Sequence, residues 1–310
     1  MVRLVAHPPG AFCFIEAGSA DMEVSHRFYK GLFGWEVDER SLPNGGRYTR
    51  FLMRGMPVAG MYGGAEKEVM AIPSQWLSYV SVDDAVATLT IAVENGATPF
   101  GDVVEVPGAV TVAEFVDPAG AICGLWQPGT HIGASYVGEP GTFVWNELLT
   151  PNPDAAASFY CNVFGWTHET EELPTGLYHF FKSGKTLRGG MAAISPGILE
   201  VSPWWRPHIG VSDLDAAIAT LTELGGSMNE DAPSRRNGGP SDQAPTSSPC
   251  RICACQGGWV IPMIEGHYVC TCYLDAMVCL GVWKPRRGGT RRWPPRLSSL
   301  RPGVTAFRSR

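Results

Sequence analysis

The run of mainly apolar residues at positions 12–17, with Glu16 among them, predicts a β-strand, whose side chains alternate between the two faces of a sheet. The alternation places Phe12, Phe14 and Glu16 on one face of that strand. Apolar residues then recur every four positions, which predicts the buried stripe of an amphipathic helix that ends at Gly34. Three further strands are predicted at 35–40, 48–54 and 58–62. The first unit is therefore βαβββ.

The same order of elements begins again at residue 76. Positions 77–82 predict a strand, and Asp83 and Asp84 are residue types that start helices, here one that runs to Glu94. Strands are predicted at 98–106, 110–115 and 121–127. Residues 1–127 therefore hold two βαβββ units, which we predict to form one domain.

A second repeat covers a longer distance. Phe12, Phe28 and Phe33, each with its neighbours, recur 131 residues later as Phe143, Phe159 and Phe164. An internal repeat of this kind predicts two copies of one module. The predicted domains are 1–127 and 142–226, joined by a linker at 128–141 that is rich in glycine and proline. The second domain is incomplete, because its match to the first stops at residue 226.

Composition changes at the same point. Residues 1–226 contain 12 Lys and Arg against 25 Asp and Glu, whereas residues 227–310 contain 12 against 5 and six of the nine cysteines. Two explanations for this basic tail, rich in Cys, Pro and Arg, stay open. One is a shifted reading frame or a wrongly spliced gene, and the other is a genuine insertion followed by a disordered tail. A second domain without three of its strands should expose a sheet edge and self-associate there.

The overall charge of −6 argues against nucleic acid and an anionic membrane surface as partners. No stretch approaches the roughly 18 apolar residues of a membrane span. The cysteines of the first 226 residues are too few for a disulfide framework, and we predict reduced thiols. These features predict a cytoplasmic protein.

Several short motifs resemble the vicinal oxygen chelate superfamily, which includes glyoxalases, bleomycin-resistance proteins and extradiol dioxygenases. They are the Phe28-Tyr29 pair with Leu32-Phe33-Gly34-Trp35, the Val82-Asp83-Asp84 helix start and the Asp117-Pro118-Ala119-Gly120 turn. The resemblance implies an α+β fold of tandem modules. In each module, paired βαβββ units would form a curled mixed sheet around a cavity, with the helices outside.

The resemblance also implies a divalent ion held by His and Glu side chains on the cavity face. The corresponding positions are occupied by Phe14, Leu77 and Gly124 in the first copy and by Trp145 and Arg206 in the second. Phenylalanine, leucine and glycine side chains cannot supply the imidazole or carboxylate ligands that such ions need. We therefore expect no cofactor and no metal at the usual site, with a divalent metal at a non-standard site as the alternative.

Glu16 and Glu147 are the candidate catalytic residues, because each repeats at the same place beside aromatic residues. A carboxylate in an apolar wall has a raised pKa and can act as a general base. A structural role is the alternative, with each glutamate bonded to the backbone or paired with an arginine such as Arg54 or Arg188.

Tyr79 and His208 occupy equivalent positions, beside Leu77 and Arg206, and the arginine would suit an anionic group. These residues and the tryptophans could equally be half-buried or core residues. The full set of candidate ligand-binding residues is Phe14, Leu77, Tyr79, Trp126, Trp145, Arg206 and His208. The sequence thus predicts a glyoxalase- and bleomycin-resistance-like small-molecule-binding protein. The alternative is an enzyme of the same superfamily, a lyase, isomerase or oxygenase, that acts through a cavity carboxylate or a non-standard metal site.

Overall fold

The computed structural model describes residues 2–19, 21–42, 46–63, 76–173, 176–194 and 202–226. The predicted basic tail, 227–310, lies outside the described residues. The predicted self-association of the second domain through an exposed sheet edge stays a prediction. No helix in the described ranges has the length and apolar character needed to cross a membrane. The three cysteines in these ranges, Cys13, Cys123 and Cys161, are free thiols.

The first module is a single nine-stranded sheet with two helices. Its elements are β1 (Phe12–Ser19), α1 (Met22–Phe33), β2 (Glu36–Ser41), β3 (Arg47–Met53), β4 (Met56–Gly63), β5 (Trp76–Ser81), α2 (Ala85–Glu94), β6 (Thr98–Pro99), β7 (Val104–Val106), β8 (Val110–Val116) and β9 (Ile122–Pro128). The strand order is β2-β3-β4-β1-β5-β9-β8-β6, with β7 paired to β8. Strand β1 runs parallel to β4 and antiparallel to β5, so that the two predicted units share one curled mixed sheet. The strand predicted at 98–106 is two short strands, β6 and β7, which both pair with β8.

The second module repeats the first half of this arrangement. Its elements are β10 (Phe143–Thr150), α3 (Pro153–Phe164), β11 (Thr167–Leu173), β12 (Gly176–Ser183), β13 (Thr186–Ala193), β14 (Trp204–Ile209) and α4 (Leu214–Glu223). The five strands are ordered β11-β12-β13-β10-β14, and β10 is parallel to β13 and antiparallel to β14. This is the pairing of β1 with β4 and β5, which confirms the repeat.

The helices begin where the sequence predicts. An Asp or Asn caps the start of all four described helices by accepting a hydrogen bond from the backbone N–H three residues later. These caps are Asp21, Asp84, Asn152 and Asp213. Gly34 and Gly165 end α1 and α3 in the left-handed conformation, with φ of 70° and 65°, which glycine adopts without strain.

The helices cover one face of the first sheet. The ring of Tyr29 in α1 lies 5.6 Å from that of Phe51 on β3 and 5.3 Å from that of Trp76 on β5. On β8, Phe115 packs against Phe159 of α3. Because neighbouring residues of a strand point to opposite faces, the residues next to these positions lie on the other, concave face.

One expectation about β1 is wrong. Phe12 was placed on the same face as Phe14 and Glu16, but a bulge between Phe12 and Phe14 reverses the alternation there. Phe14 pairs with Tyr79 and stays on the concave face, whereas Phe12 pairs with Val80 and packs against the ring of Trp205, 4.8 Å away. The equivalent shift between Phe143 and Trp145 occurs in β10.

The two modules contact each other through equivalent residues. The indole Nε1 of Trp35 donates to the carbonyl oxygen of Gly141 at 2.7 Å, and that of Trp166 donates to Gly10 at 3.0 Å. Both tryptophans and both glycines are 131 residues apart, so the interface has the reciprocity of a twofold dimer. A buried hydrogen bond of 2.6 Å from Ser78 to Asn146 joins β5 to β10.

Candidate functional site

Glu16 lies on the concave face of the first sheet, and each of its carboxylate oxygens accepts a hydrogen bond from a different tyrosine. Tyr48 on β3 donates to Oε1, and Tyr62 on β4 donates to Oε2 at 2.5 Å. The side chain is buried, at 4% exposure. Burial raises the pKa of Glu16, and the hydrogen bonds from the tyrosines oppose this shift only in part.

The chain of hydroxyl groups continues to a second carboxyl group. The Tyr79 hydroxyl oxygen lies 2.8 Å from that of Tyr62 and 2.6 Å from Oε1 of Glu114 on β8. The pKa of Glu114 is raised to about 7, because burial and the charge of Glu16, which both raise it, outweigh the hydrogen bond from Tyr79, which lowers it. We call Glu16, Tyr48, Tyr62, Tyr79 and Glu114 the carboxyl–tyrosine network.

A glycine makes room for this network. Gly60 lies opposite Glu16 in the pairing of β1 with β4. A Cβ atom at Gly60 would lie 2.5 Å from the Tyr48 hydroxyl and 2.6 Å from Oε1 of Glu16, well inside van der Waals contact. The second module repeats this relationship, because Gly190 lies opposite Glu147 and a Cβ there would collide with the Tyr178 hydroxyl. The glutamate, tyrosine and glycine therefore form a repeated structural unit.

Aromatic rings form a wall beside the network. Phe14 packs on Trp126 at a centroid distance of 4.8 Å, and His131 contacts both rings, at 5.3 and 5.0 Å. Tyr79 lies against Trp126 at 5.5 Å, which joins the wall to the network. Trp126 is only 2% exposed, whereas His131 is half-buried. A ligand would therefore meet His131 before Trp126.

His131 holds a buried hydrogen-bond donor beside this wall. The backbone N–H of Gly133 donates to its Nδ1 at 3.1 Å, which leaves the ring proton on Nε2. Burial lowers the pKa of His131 to about 4, with Arg50 and Arg40 adding to the shift, so the ring is neutral near pH 7. Its Nε2 has no hydrogen-bond partner among the described residues.

The structure brings most of the predicted first-copy residues together on the concave face. Phe14, Glu16 and Tyr79 belong to the wall or the network, and half-buried Leu77 lies opposite Glu16 in the pairing of β1 with β5. Sequence reasoning missed Tyr48, Tyr62, Glu114 and His131. The repeat of Tyr48 as Tyr178 could have revealed the first of these, whereas His131 lies in the linker, where no periodicity distinguishes it.

The second copy keeps its glutamate but gives it charged partners. Arg206, at the position of Leu77, forms a buried ion pair with Glu147, and His208 Nε2 lies 3.7 Å from Glu147 Oε2. Burial raises the pKa of Glu147, but the charges and hydrogen bonds of Arg206 and His208 together outweigh burial and lower the pKa to about 2. Trp145 donates from its indole Nε1 to the Tyr178 hydroxyl at 3.0 Å.

The glutamates thus have other partners than the arginines that the sequence suggested. Glu147 pairs with Arg206 instead of Arg188, and Glu16 bonds to tyrosines instead of Arg54. Arg206, considered above as a contact for an anionic ligand, is engaged by Glu147 in this structure.

Within the described ranges, one group of three side chains has the spacing of a metal site, namely Glu23, His26 and Glu39. It lies on α1 and β2, away from the network. Arg47 donates to Glu23 at 2.6 Å and to Glu39 at 2.5 Å, so a guanidinium group already balances these carboxylates. The group is an ion-pair cluster.

Comparisons with known proteins show which proteins this chain resembles. A family model described as "Glyoxalase-like domain" matches residues 143–252. "Putative glyoxylase CFP32" of Mycobacterium tuberculosis is 34% identical over 217 residues, which cover 69% of this chain and 82% of that protein. "Anthracycline biosynthesis protein DnrV" of Streptomyces peucetius is 35% identical over 246 residues, which cover 74% and 87%. The structure of the Mn(II)-bound glyoxalase from Novosphingobium aromaticivorans aligns at a TM-score of 0.45 and 12% identity, over 73% of this chain and 72% of that chain.

Proposed function

The chain belongs to the glyoxalase-like family of the vicinal oxygen chelate superfamily, and we propose that its first module binds a small planar molecule with hydroxyl or carbonyl groups. One observation carries this proposal: the concave face sets an aromatic wall next to a carboxyl–tyrosine network. Flat apolar surface with a few convergent polar groups is the usual composition of a small-molecule site.

The polar groups favour an oxygen-bearing aromatic ligand. The unpartnered Nε2–H of His131 can donate to a carbonyl oxygen, and half-buried Tyr62 and Glu114 can bond to a phenol. The similarity to a protein named for anthracycline biosynthesis supports the same class, because anthracyclines are planar polycyclic molecules with phenol and quinone groups. We propose a hydroxylated polycyclic aromatic compound as the ligand.

We further propose that binding in the first module uses no metal ion at the family's usual positions. Phe14, Leu77 and Gly124 occupy these positions, and their side chains carry no ligand atom. The residues present do not fit the ion, and the oxygens of Glu16 already accept two tyrosine hydrogen bonds.

The test is a tryptophan-fluorescence titration of the full chain with 1,8-dihydroxyanthraquinone, before and after EDTA treatment, together with elemental analysis. We expect saturable binding that EDTA does not change. His131→Phe should keep the ring contacts but weaken binding by about tenfold, the loss of one hydrogen bond to a buried ligand. The matched control is His168→Phe, at an exposed position on β11. Absence of saturable binding, or stoichiometric metal whose removal abolishes binding, would overturn the proposal.

A second candidate function is catalysis by the same module, as a lyase, isomerase or oxygenase. The pKa of Glu114, about 7, favours it, because a general acid or base works best when its pKa is near the working pH. Isomerisation fits best of the three, because it needs only proton transfer. Product analysis after incubation with the probe would detect turnover, which Glu16→Gln should abolish and Glu147→Gln should leave in place if the first module acts.

A further inference from the structure

The carboxyl–tyrosine network contains more hydrogen bonds than its tyrosines have protons. Four oxygen–oxygen contacts lie within hydrogen-bond distance: Tyr48 to Glu16, Tyr62 to Glu16, Tyr62 to Tyr79, and Tyr79 to Glu114. Each contact needs one proton, and each tyrosine hydroxyl carries one. Burial raises the pKa of all three tyrosines, which keeps them protonated. The fourth proton must therefore belong to a carboxyl group.

Glu114 is the carboxyl group that fits this proton. Both oxygens of Glu16 accept from tyrosines, which suits an ionised carboxylate. Glu114 makes one contact with the network, through Oε1, and is half-buried at the end of the chain of hydroxyls. With Glu114 protonated, every contact is filled in one direction, from Glu114 through Tyr79 and Tyr62 to Glu16.

We infer that Glu114, Tyr79, Tyr62 and Glu16 form a proton relay through which the first module exchanges one proton with its ligand at Glu114. If each proton moves one oxygen toward Glu16, Glu16 becomes the carboxylic acid and Glu114 the carboxylate. Tyr79 then donates to Glu114, and all four contacts are again filled. Glu114 is therefore an acid in one arrangement and a base in the other, at the same total number of protons.

The relay defines the class of ligand and of reaction. A phenol or an enolisable carbonyl compound can lose an O–H or C–H proton to the Glu114 carboxylate, and the electron pair stays on the ligand as a phenolate or enolate. Glu114 then returns a proton to a different atom of the ligand. The balanced step is a tautomerisation, and it needs no further reactant. This ligand assignment rests on the proposed function, whereas the relay does not.

The other groups around the relay do not supply a competing proton near pH 7. Arg50 on β3 is paired with Asp38 on β2, and it acts on Tyr48 through its positive charge. His131 is neutral, since its pKa is lowered to about 4. Cys123 lies on the helix-covered face of β9, and burial raises the pKa of its thiol.

The first test uses the ligand-free full chain and isotope-edited infrared spectroscopy of its glutamate carboxyl groups over a range of pH. In the wild type we expect one protonated carboxyl group that ionises near pH 7 and is absent in Glu114→Gln. Glu16→Gln should weaken the proton affinity of Glu114 by about tenfold, or one pKa unit. When Tyr79→Phe is also present, Glu16→Gln should lower the pKa of Glu114 by less than half a unit, because the hydrogen-bonded chain between the two carboxyl groups is interrupted.

Equal effects of Glu16→Gln with and without Tyr79 would show that the carboxyl groups interact only through space, and would overturn the relay. Ionisation of Glu114 at the ordinary value for glutamate would overturn it too. Tyr178→Phe, the equivalent change in the second module, is the matched control and should alter neither result.

The second test measures the protons exchanged when 1,8-dihydroxyanthraquinone binds, by calorimetry in two buffers with different ionisation enthalpies. We expect exchange of a fraction of a proton up to one proton in the wild type and a smaller amount in Tyr79→Phe. Equal exchange in both proteins would overturn the role of the relay in ligand binding. Failure of the probe to bind would overturn the proposed function, and the infrared comparison decides the relay by itself.

Discussion

Arg206 and Glu147 form an ion pair in which neither side chain is more than 2% exposed. The equivalent residues of the first module, Leu77 and Glu16, face each other in the same register on the equivalent strands, β5 and β1. The equivalent glutamates thus have different partners, since Arg206 stands in place of Leu77 and His208 in place of Tyr79. In the second module the positive charge of Arg206 balances the carboxylate of Glu147. In the first module the carboxyl group of Glu16 is bonded to neutral tyrosine hydroxyl groups.

The first prediction concerns this ion pair. Arg206→Leu, which introduces the residue of the first module, should lower the free energy of unfolding by about 3–5 kcal/mol, because it leaves Glu147 buried without its cation. Denaturant unfolding measures the loss. Adding Glu147→Gln to Arg206→Leu should restore much of the stability. If Arg206→Leu alone were no more destabilising than the double variant, the ion pair would be contradicted. Leu77→Met is the control for a change of side chain at this register position.

The second prediction concerns pH. The pKa of Glu114 is about 7 in the folded protein against an ordinary 4.5, so the folded state binds the proton more tightly. Its contribution to stability is complete below the ordinary pKa and is lost as the pH rises through the folded one. Between about pH 5 and pH 8 the wild type should lose up to about 3 kcal/mol relative to Glu114→Gln.

Comparison with the variant is essential here, because the histidines act in the opposite direction. The pKa values of His7, His131 and His208 are lowered by burial, so their contribution to stability grows as the pH rises. They are identical in both proteins and cancel in the difference. A difference that is flat with pH would contradict the raised pKa of Glu114.

The third prediction concerns the glycine under the network. Gly60→Ala should destabilise the protein by about 1–3 kcal/mol, because the new methyl group overlaps the Tyr48 hydroxyl and Glu16. It should also weaken binding of the probe, since the network must move. Thermal unfolding and fluorescence titration measure the two effects. Tyr48→Phe together with Gly60→Ala removes one of the two overlaps and should recover part of the stability; no recovery would contradict this geometry.

The fourth prediction concerns the contact between modules. Trp35→Phe and Trp166→Phe should each cost about 1–3 kcal/mol, because each removes part of a buried ring and leaves a backbone carbonyl without its donor, that of Gly141 just before β10 or that of Gly10 just before β1. The two losses should be similar, given the equivalent positions. Denaturant unfolding of the full chain measures them, and a loss confined to one tryptophan would contradict the reciprocity.

Most of the fold is predictable from local patterns, because strands and helices in this chain alternate with the expected periods and end at standard residues. Asp84 and Gly34 mark helix ends that the structure confirms. The bulge beside Phe14 was not predictable, since an extra residue in one strand becomes visible only when the partner strand is known. It moved Phe12 from the concave face to the contact with the second module.

The candidate site was predictable only in part. Glu16 stands out because the second copy has a glutamate, Glu147, at the equivalent position. Tyr79 stands out because another polar ring, His208, occupies its equivalent position. Glu114 and Tyr62 do not, because their importance comes from distances between strands that are far apart in sequence. Arg206 was recognised as a candidate, but its partner depends on the register between β10 and β14, which the sequence pattern does not specify.

The reciprocal indole bonds have a consequence for how the two halves can change. Trp35 and Trp166 fasten the halves at a junction that does not involve either concave face. Substitutions on one face therefore leave the junction intact, and a duplicated gene is free to specialise its halves separately. Two identical subunits could not do this, because every substitution would appear on both sides at once. A single polypeptide can therefore carry an arginine beside the glutamate of one half and a leucine at the equivalent place in the other.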